Sequence, residues 1–232
     1  MPYGQITRRF FYYLIFIWRG FYELIGRLLR FINLKISFFP SNLIFWYQSL
    51  RGGIAFNKIL ASLSDIGCAW IIFKIIKFLG GRDKPAKIAT AFFLLLPSTW
   101  YNSAFWGQDE SLYCLFILLA FFLSFKNYYL LGTVCLGLSA LIKPISLFAA
   151  PAFLLLCFKE KKITDLVVGL FLSTIIALIL YFPFLPLATF SEAIGTYMGN
   201  FRGELTDLVA NAFNFWALIY DFEPRPSTQP FF

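Results

Sequence analysis

Long apolar runs broken by short charged punctuation dominate the chain. Runs near 58–79, 87–105, 111–125 and 164–184 approach the roughly 20 apolar residues that carry a helix across a bilayer core. Each predicts a membrane span. The stretch 128–158 is too long for one ordinary span and short for two. Charge decides its path. Arg82, Lys84 and Lys87 form one basic cluster, and Lys159, Lys161 and Lys162 form another. Basic loops favour the cytoplasmic side, so an even number of crossings must separate the two clusters. The runs at 87–105 and 111–125 supply two crossings, so 128–158 must enter and return as two short helices meeting near Lys143 and Pro144. At 1.5 Å per residue each arm reaches about 20 Å, short of a core of roughly 30 Å. Its apex is then expected below the outer surface, buried in protein or facing a watery cavity.

The same parity places the loop around 100–110 outside the cytoplasm, and 185–210 with it. The latter carries Glu192, Arg202, Glu204 and Asp207 among apolar residues and suits interfacial helices. A further span is expected to begin near Asn211. The N-terminal region reads differently. Over 8–35, Arg19, Glu23, Arg27 and Arg30 recur on one helical face, with Ile17, Phe21, Leu24, Leu28 and Ile32 broadly on another. That division predicts an interfacial amphipathic helix. The competing reading is a transmembrane helix with Arg19 and Glu23 paired inside it.

Composition agrees with a bilayer environment. The chain is 59% hydrophobic and 14% charged, against about 45–50% and about 25% in soluble globular proteins. A soluble domain of this size would have to expose much of its 31 Phe, 12 Tyr and 6 Trp, whereas lipid accepts them. The expected class is an all-α membrane protein, a polytopic bundle of about six to seven spans with short hairpin helices, folded as one domain over 1–232, with core spans over 58–184. The net charge of +8 comes from residues that punctuate apolar runs; no nucleic-acid partner is expected. Cys68, Cys114, Cys135 and Cys157 lie in apolar stretches without CxxC spacing, which argues for packing thiols rather than disulfides or zinc. Histidine is absent, so acid–base chemistry must rest on carboxylates, Lys, Tyr or water, and no metal site is expected. No small-residue cleavage site marks a removable signal peptide.

Polar groups at membrane depth are costly and often functional. Three places qualify. Asn102, Trp106, Gly107, Gln108, Asp109 and Glu110 cluster at the outer end of one predicted span and the start of the next. Paired carboxylates beside a Trp and an amide suit holding a sugar hydroxyl and taking its proton. A plain helix start also favours acids, and interfaces favour Trp. Lys143, beside Pro144 at the hairpin apex, suits a phosphate or diphosphate; a snorkelling Lys is the plain alternative. Asp65, within its span, needs a partner, and Lys58 lies two turns away on roughly the same face.

Together, Lys58, Asp65, Asn102, the Trp106-Gly107-Gln108-Asp109-Glu110 run, the turn at Lys126, the Lys143-Pro144 pair and Pro151 resemble the GT-C multi-pass glycosyltransferases, especially the branch related to GPI mannosyltransferase 2. The tail Asn211 to Trp216 is similar to a later segment of those proteins. The resemblance covers roughly 58–220. It implies a polyprenyl-phosphate sugar as donor substrate and places Glu110 on the family's acidic position, Asp109 on its variable one. The family's usual catalytic Asp in a first external loop has no counterpart, because residues 1–56 contain a single acid, Glu23. The resemblance therefore implies a partial chain or a non-catalytic member.

The expected function is transfer of a sugar, mannosyltransferase-like, to a glycan, lipid or protein acceptor on the extracytoplasmic side. The membrane would be the plasma membrane of a prokaryote or the endoplasmic reticulum of a eukaryote. In that reading Glu110 or Asp109 binds or activates sugar, Trp106 stacks on a ring, and Lys143 faces the phosphate about 10 Å from the carboxylate, at ordinary helix packing distances. The rival classes are a secondary transporter and a membrane scaffold without chemistry.

Overall fold

The computed structural model describes residues 5–36, 38–108 and 110–181, with side chains placed from Gly20 to Ile179. Every element among these residues is helical. In chain order they are α1 (Gln5–Lys35), α2 (Ser41–Gln48), α3 (Leu50–Phe78), α4 (Asp83–Leu95) and α5 (Pro97–Trp100). A π-helical turn follows at Tyr101–Trp106, then α6 (Glu110–Phe125) and α7 (Tyr129–Ile142). A 3₁₀ turn at Pro144–Ala149 leads into α8 (Ala150–Lys159), and α9 is Ile163–Tyr181. The expectations for 185–210, for a span from Asn211 and for the tail to Trp216 lie outside the described residues.

The amphipathic helix expected over 8–35 is observed as α1, and its side chains divide three ways rather than two. Tyr22, Ile25, Gly26, Leu29 and Asn33 are shielded, at the spacing of one helical face. Phe21, Leu24, Leu28 and Phe31 form an apolar stripe that stays more than half exposed. Glu23, Arg27 and Arg30 occupy the remaining sector, also exposed. The shielded face is pinned by Tyr22 and Tyr47, whose rings stack with centroids 4.5 Å apart. Each phenol donates to the other residue's carbonyl, Tyr47 Oη at 2.7 Å from Tyr22 O.

α3 begins at Leu50, earlier than the apolar run near 58, because Ser49 caps it by accepting the Gly52 N–H at 3.3 Å. With 29 residues and an 18-residue window of mean hydropathy 1.8, it is the one helix among the described residues both long and apolar enough to cross a membrane. The other apolar helices are shorter: Glu110–Phe125, Tyr129–Ile142, Pro144–Lys159 and Ile163–Ile179. The six to seven crossings expected thus reduce, among the described residues, to one helix of full length and four short ones. The run 87–105 is no continuous helix. α4 stops at Leu95, Leu96 turns to an extended conformation, and Pro97 starts a new short helix. A residue before proline is disfavoured in the helical region, which accounts for the break.

Residues 128–158 form the expected hairpin. α7 and α8 run antiparallel around Lys143: Phe153 of α8 reaches Gly132 of α7, and Lys162 reaches the Tyr129 ring at 5.8 Å. Ser139 and Ser146 bond across the bend at 3.1 Å. The core cluster includes Ala120, Tyr129, Leu136, Phe153, Cys157 and Leu166. α7 lies between α6 and α9 through small residues. A Cβ on Gly132 would come 2.5 Å from Ser124 Oγ, and one on Gly169 2.5 Å from Thr133 Cβ. Such contacts let helix backbones approach without a hydrophobic driving force. All four cysteines are free thiols, Cys68 and Cys157 buried.

The two basic clusters share one end of the bundle. Phe78 of α3 stacks on Phe125 of α6 with centroids 6.4 Å apart, which brings Lys77 and its following turn beside Lys126. The α8–α9 turn with Lys161 and Lys162 meets the start of α7 at that same end. Glu110 and Lys143 lie at the other end.

Candidate functional site

The site is assembled from three chain interruptions. The π-turn Tyr101–Trp106 widens the helix by one residue per turn, a distortion that recurs at functional sites. It ends at Gly107, whose φ of +81° is left-handed and suits a residue without a side chain. The N–H of Gln108 then returns to the Asn102 carbonyl at 2.9 Å. This closed loop delivers Glu110 as the first residue of α6, where a helix N-terminus favours a carboxylate. At the third interruption Lys143 leaves α7 in an extended conformation, φ −142° and ψ 122°, as the following proline demands.

Lys143 Nζ donates to Glu110 Oε1 at 2.6 Å. Asn102 Nδ2 donates to Oε2 at 3.0 Å. With its amide nitrogen turned to the carboxylate, Gln108 donates to both oxygens, at 2.8 and 3.0 Å. Glu110 is 30% and Lys143 35% exposed, so the pair is neither open to solvent nor sealed. Charge-assisted bonds of this length are roughly twice as strong as neutral ones. The separation of about 10 Å expected between carboxylate and cation is therefore overturned: the apex of the hairpin reaches the loop directly.

Asp65 is 6% exposed and accepts hydrogen bonds from the hydroxyls of Ser103 and Ser111 on its two oxygens. The expected Lys58 pairing is not made. Lys58 Nζ instead donates to the Phe105 carbonyl at 2.6 Å. Its stem passes under Gly107, where a Cβ would approach Lys58 Cγ to 3.1 Å. The π-turn presents a carbonyl that the helix would otherwise have used, and the lysine satisfies it. Ser103 and Ser111 escaped the sequence reading. Ser111 had a signal, a small hydroxyl next to Glu110 at a helix start. Ser103 depends on the π register, which no local pattern announces.

A cavity of about 160 Å³ opens between α3, the α4–α5 break and α6, with Asp65, Glu110, Ser111, Asn102, Phe93 and Cys114 among its lining. The structure thus gathers Asp65, Asn102 and Glu110 around one space, with Lys143 and Gln108 on Glu110. Gly107 belongs to the frame. Trp106 is 55% exposed and sits edge-on to Tyr101 at 6.4 Å, outside the cavity lining. Asp109 lies outside the described residues. Among the described residues no group of three or more His, Cys, Asp or Glu side chains is placed to hold a metal ion. No family model, curated protein or solved structure matches the chain.

Proposed function

We propose that the chain is a multi-pass membrane glycosyltransferase that moves a sugar, in a mannosyltransferase-like reaction, from a polyprenyl-phosphate donor to an extracytoplasmic acceptor. The observation that carries this reading is the Glu110–Lys143 pair at 2.6 Å, with Glu110 also lining the cavity that holds Asp65. Lipid exposure is supported by large apolar side chains left open along α3 and α9, including Leu63, Ile66 and Trp70, and Val167, Leu170 and Phe171. In lipid such positions need no protein cover. The apolar stripe of α1 lies against the headgroup region and its charged sector faces water. The end bearing Lys159, Lys161 and Lys162 is cytoplasmic and the Glu110 end is outside.

The chemistry follows from the charges. The donor phosphate competes for Lys143 and draws it from Glu110. The freed carboxylate takes the acceptor hydroxyl's proton as that oxygen bonds to the anomeric carbon. The bond between that carbon and the phosphate oxygen breaks, and the phosphate leaves with the electron pair, stabilised by Lys143. Glycan, lipid and protein acceptors all carry the required hydroxyl.

Membranes containing the protein, incubated with labelled polyprenyl-phosphate mannose, are expected to transfer label to an endogenous acceptor. Transfer no greater than in membranes lacking the protein overturns the reading. A secondary transporter is the second reading, favoured by the interrupted helices at Leu96 and Lys143. It would instead show uptake of a solute into proteoliposomes without any covalent product.

A further inference from the structure

The cavity beside Glu110 has a composition that selects among ligands. Asp65 is nine-tenths buried yet lines it. A carboxylate offers about four lone-pair sites, and the Ser103 and Ser111 hydroxyls occupy one on each oxygen. Acceptor capacity therefore remains on Asp65, and Glu110 adds another carboxylate. A ligand must bring hydrogen-bond donors. The rest of the lining mixes Phe93, Cys68 and Cys114 with the hydroxyls of Ser98 and Thr99 and the Asn102 amide. A pyranose ring carries hydroxyls at its edge for the polar groups and C–H groups on its face for Phe93. Size agrees: 160 Å³ is well below the roughly 300–1,000 Å³ of sites for drug-sized ligands, a scale that suits a single ring.

We propose that this cavity is a monosaccharide subsite in which Asp65 holds the hydroxyls of the transferred sugar. The inference rests on the glycosyltransferase reading and adds a polarity to it. Glu110 stands between Lys143 on one side and the cavity on the other, so the donor lies with its phosphate at the hairpin apex and its sugar over Asp65. Asp65 is a substrate-binding residue, and sugar hydroxyl stereochemistry is read at its carboxylate.

Cys114, in the lining, reports occupancy. In a protein whose other three cysteines are replaced by alanine, alkylation of Cys114 is measured with polyprenyl-phosphate mannose, with polyprenyl phosphate alone, with free mannose, and with sodium exchanged for choline. Polyprenyl-phosphate mannose should slow the reaction about tenfold or more, and bare polyprenyl phosphate less than twofold. Asp65→Asn should remove the sugar-dependent slowing, measured against that variant's own unliganded rate. Should that variant fail to accumulate, Asp65→Glu, which keeps the charge but extends the carboxylate by one carbon into the cavity, should weaken the sugar-dependent slowing. Equal slowing by bare phosphate, slowing by sodium, or full slowing in Asp65→Asn overturns the subsite. Transfer without slowing overturns the subsite while the proposed function stands. Slowing without transfer overturns the function while the subsite stands.

Discussion

The two ends of the bundle use the same residue types to opposite effect. At the Lys77 end, cations outnumber acids and stand in solvent; Lys77 and Asp83 pair at 2.5 Å with 41% and 67% of their side chains exposed. At the Glu110 end the ion pair is half shielded, and each carboxylate oxygen has an amide or ammonium donor. Lys58 there is spent on a backbone carbonyl. Exposed pairs contribute little because water screens them and the side chains lose freedom. Shielded, multiply bonded pairs are costly to disrupt, since a lone buried charge remains. On the proposed function the basic end would set orientation, whereas the acidic end sets geometry.

The largest expected effect is all-or-none and tests the ends as sides of a membrane. In a protein otherwise free of cysteine, Cys at exposed Ala104 should react with an impermeant reagent from outside, and Cys at Lys161 should not. Labelling of Lys161→Cys from outside would invert the two ends. Ser103, the neighbour of Ala104, is 1% exposed and unsuitable.

Next in size is the functional contrast. Glu110→Gln and Lys143→Ala should each reduce sugar transfer by about 100-fold or more, the scale for losing a placed base or charge-stabilising group. Lys77→Ala should leave it unchanged. Comparable losses at both ends would remove the distinction between orientation and geometry.

A smaller effect is expected between the ends. Gly132→Leu forces a side chain against Ser124 and the Ala120 carbonyl. It should lower stability by about 1–3 kcal/mol, as overpacking does, seen as a reduced melting temperature in detergent. An unchanged melt would mean that α6 and α7 are not held at the observed separation.

The smallest effect concerns Asp83. Its hydrogen bond from Lys77, and then that lysine's charge, hold the carboxyl below the usual range. A carboxyl lowered in the folded state contributes at neutral pH and loses that contribution as pH falls through the lowered value. The window lies below the ordinary Asp value of about 3.9. Because the pair is exposed and screened by water, that contribution is small; Asp83→Asn should melt as the parent at pH 7 within experimental error, and a large shift would show that this end is not merely solvated.

Much of this contrast was legible in the sequence. Two basic clusters and the need for an even number of crossings predicted the hairpin, and the fold places its bend at Lys143 as expected. Pro97 announced the break in 87–105, but the hydropathy of the run concealed it, since apolarity reports burial in lipid rather than backbone continuity. The Lys58–Asp65 pairing was inferred from helical spacing within α3. It failed because partners came from another element: the π-turn presents Ser103 to Asp65 and the Phe105 carbonyl to Lys58. A register shift of one residue is a tertiary property, invisible to any window of sequence. The direct contact of Glu110 and Lys143 was underestimated for a similar reason, because the extended residue before Pro144 carries its side chain farther than a helical one.

The small-residue seams of α7 carry a consequence for biosynthesis. α7 has 14 residues, fewer than the roughly 20 that a translocon accepts readily as an independent span. On one flank Gly132 receives Ser124 of α6, and on the other Gly137 and Thr133 receive Ser173 and Gly169 of α9. Its neighbours on both sides are thus part of what makes it a stable element, and the last of them, α9, only begins at Ile163, after the whole of α8. In a membrane, α7 and α8 would remain unsettled while the ribosome is still extending α9, and would lock only when α9 arrives. Release of the hairpin into lipid would then be a collective event, timed by the helix that follows it.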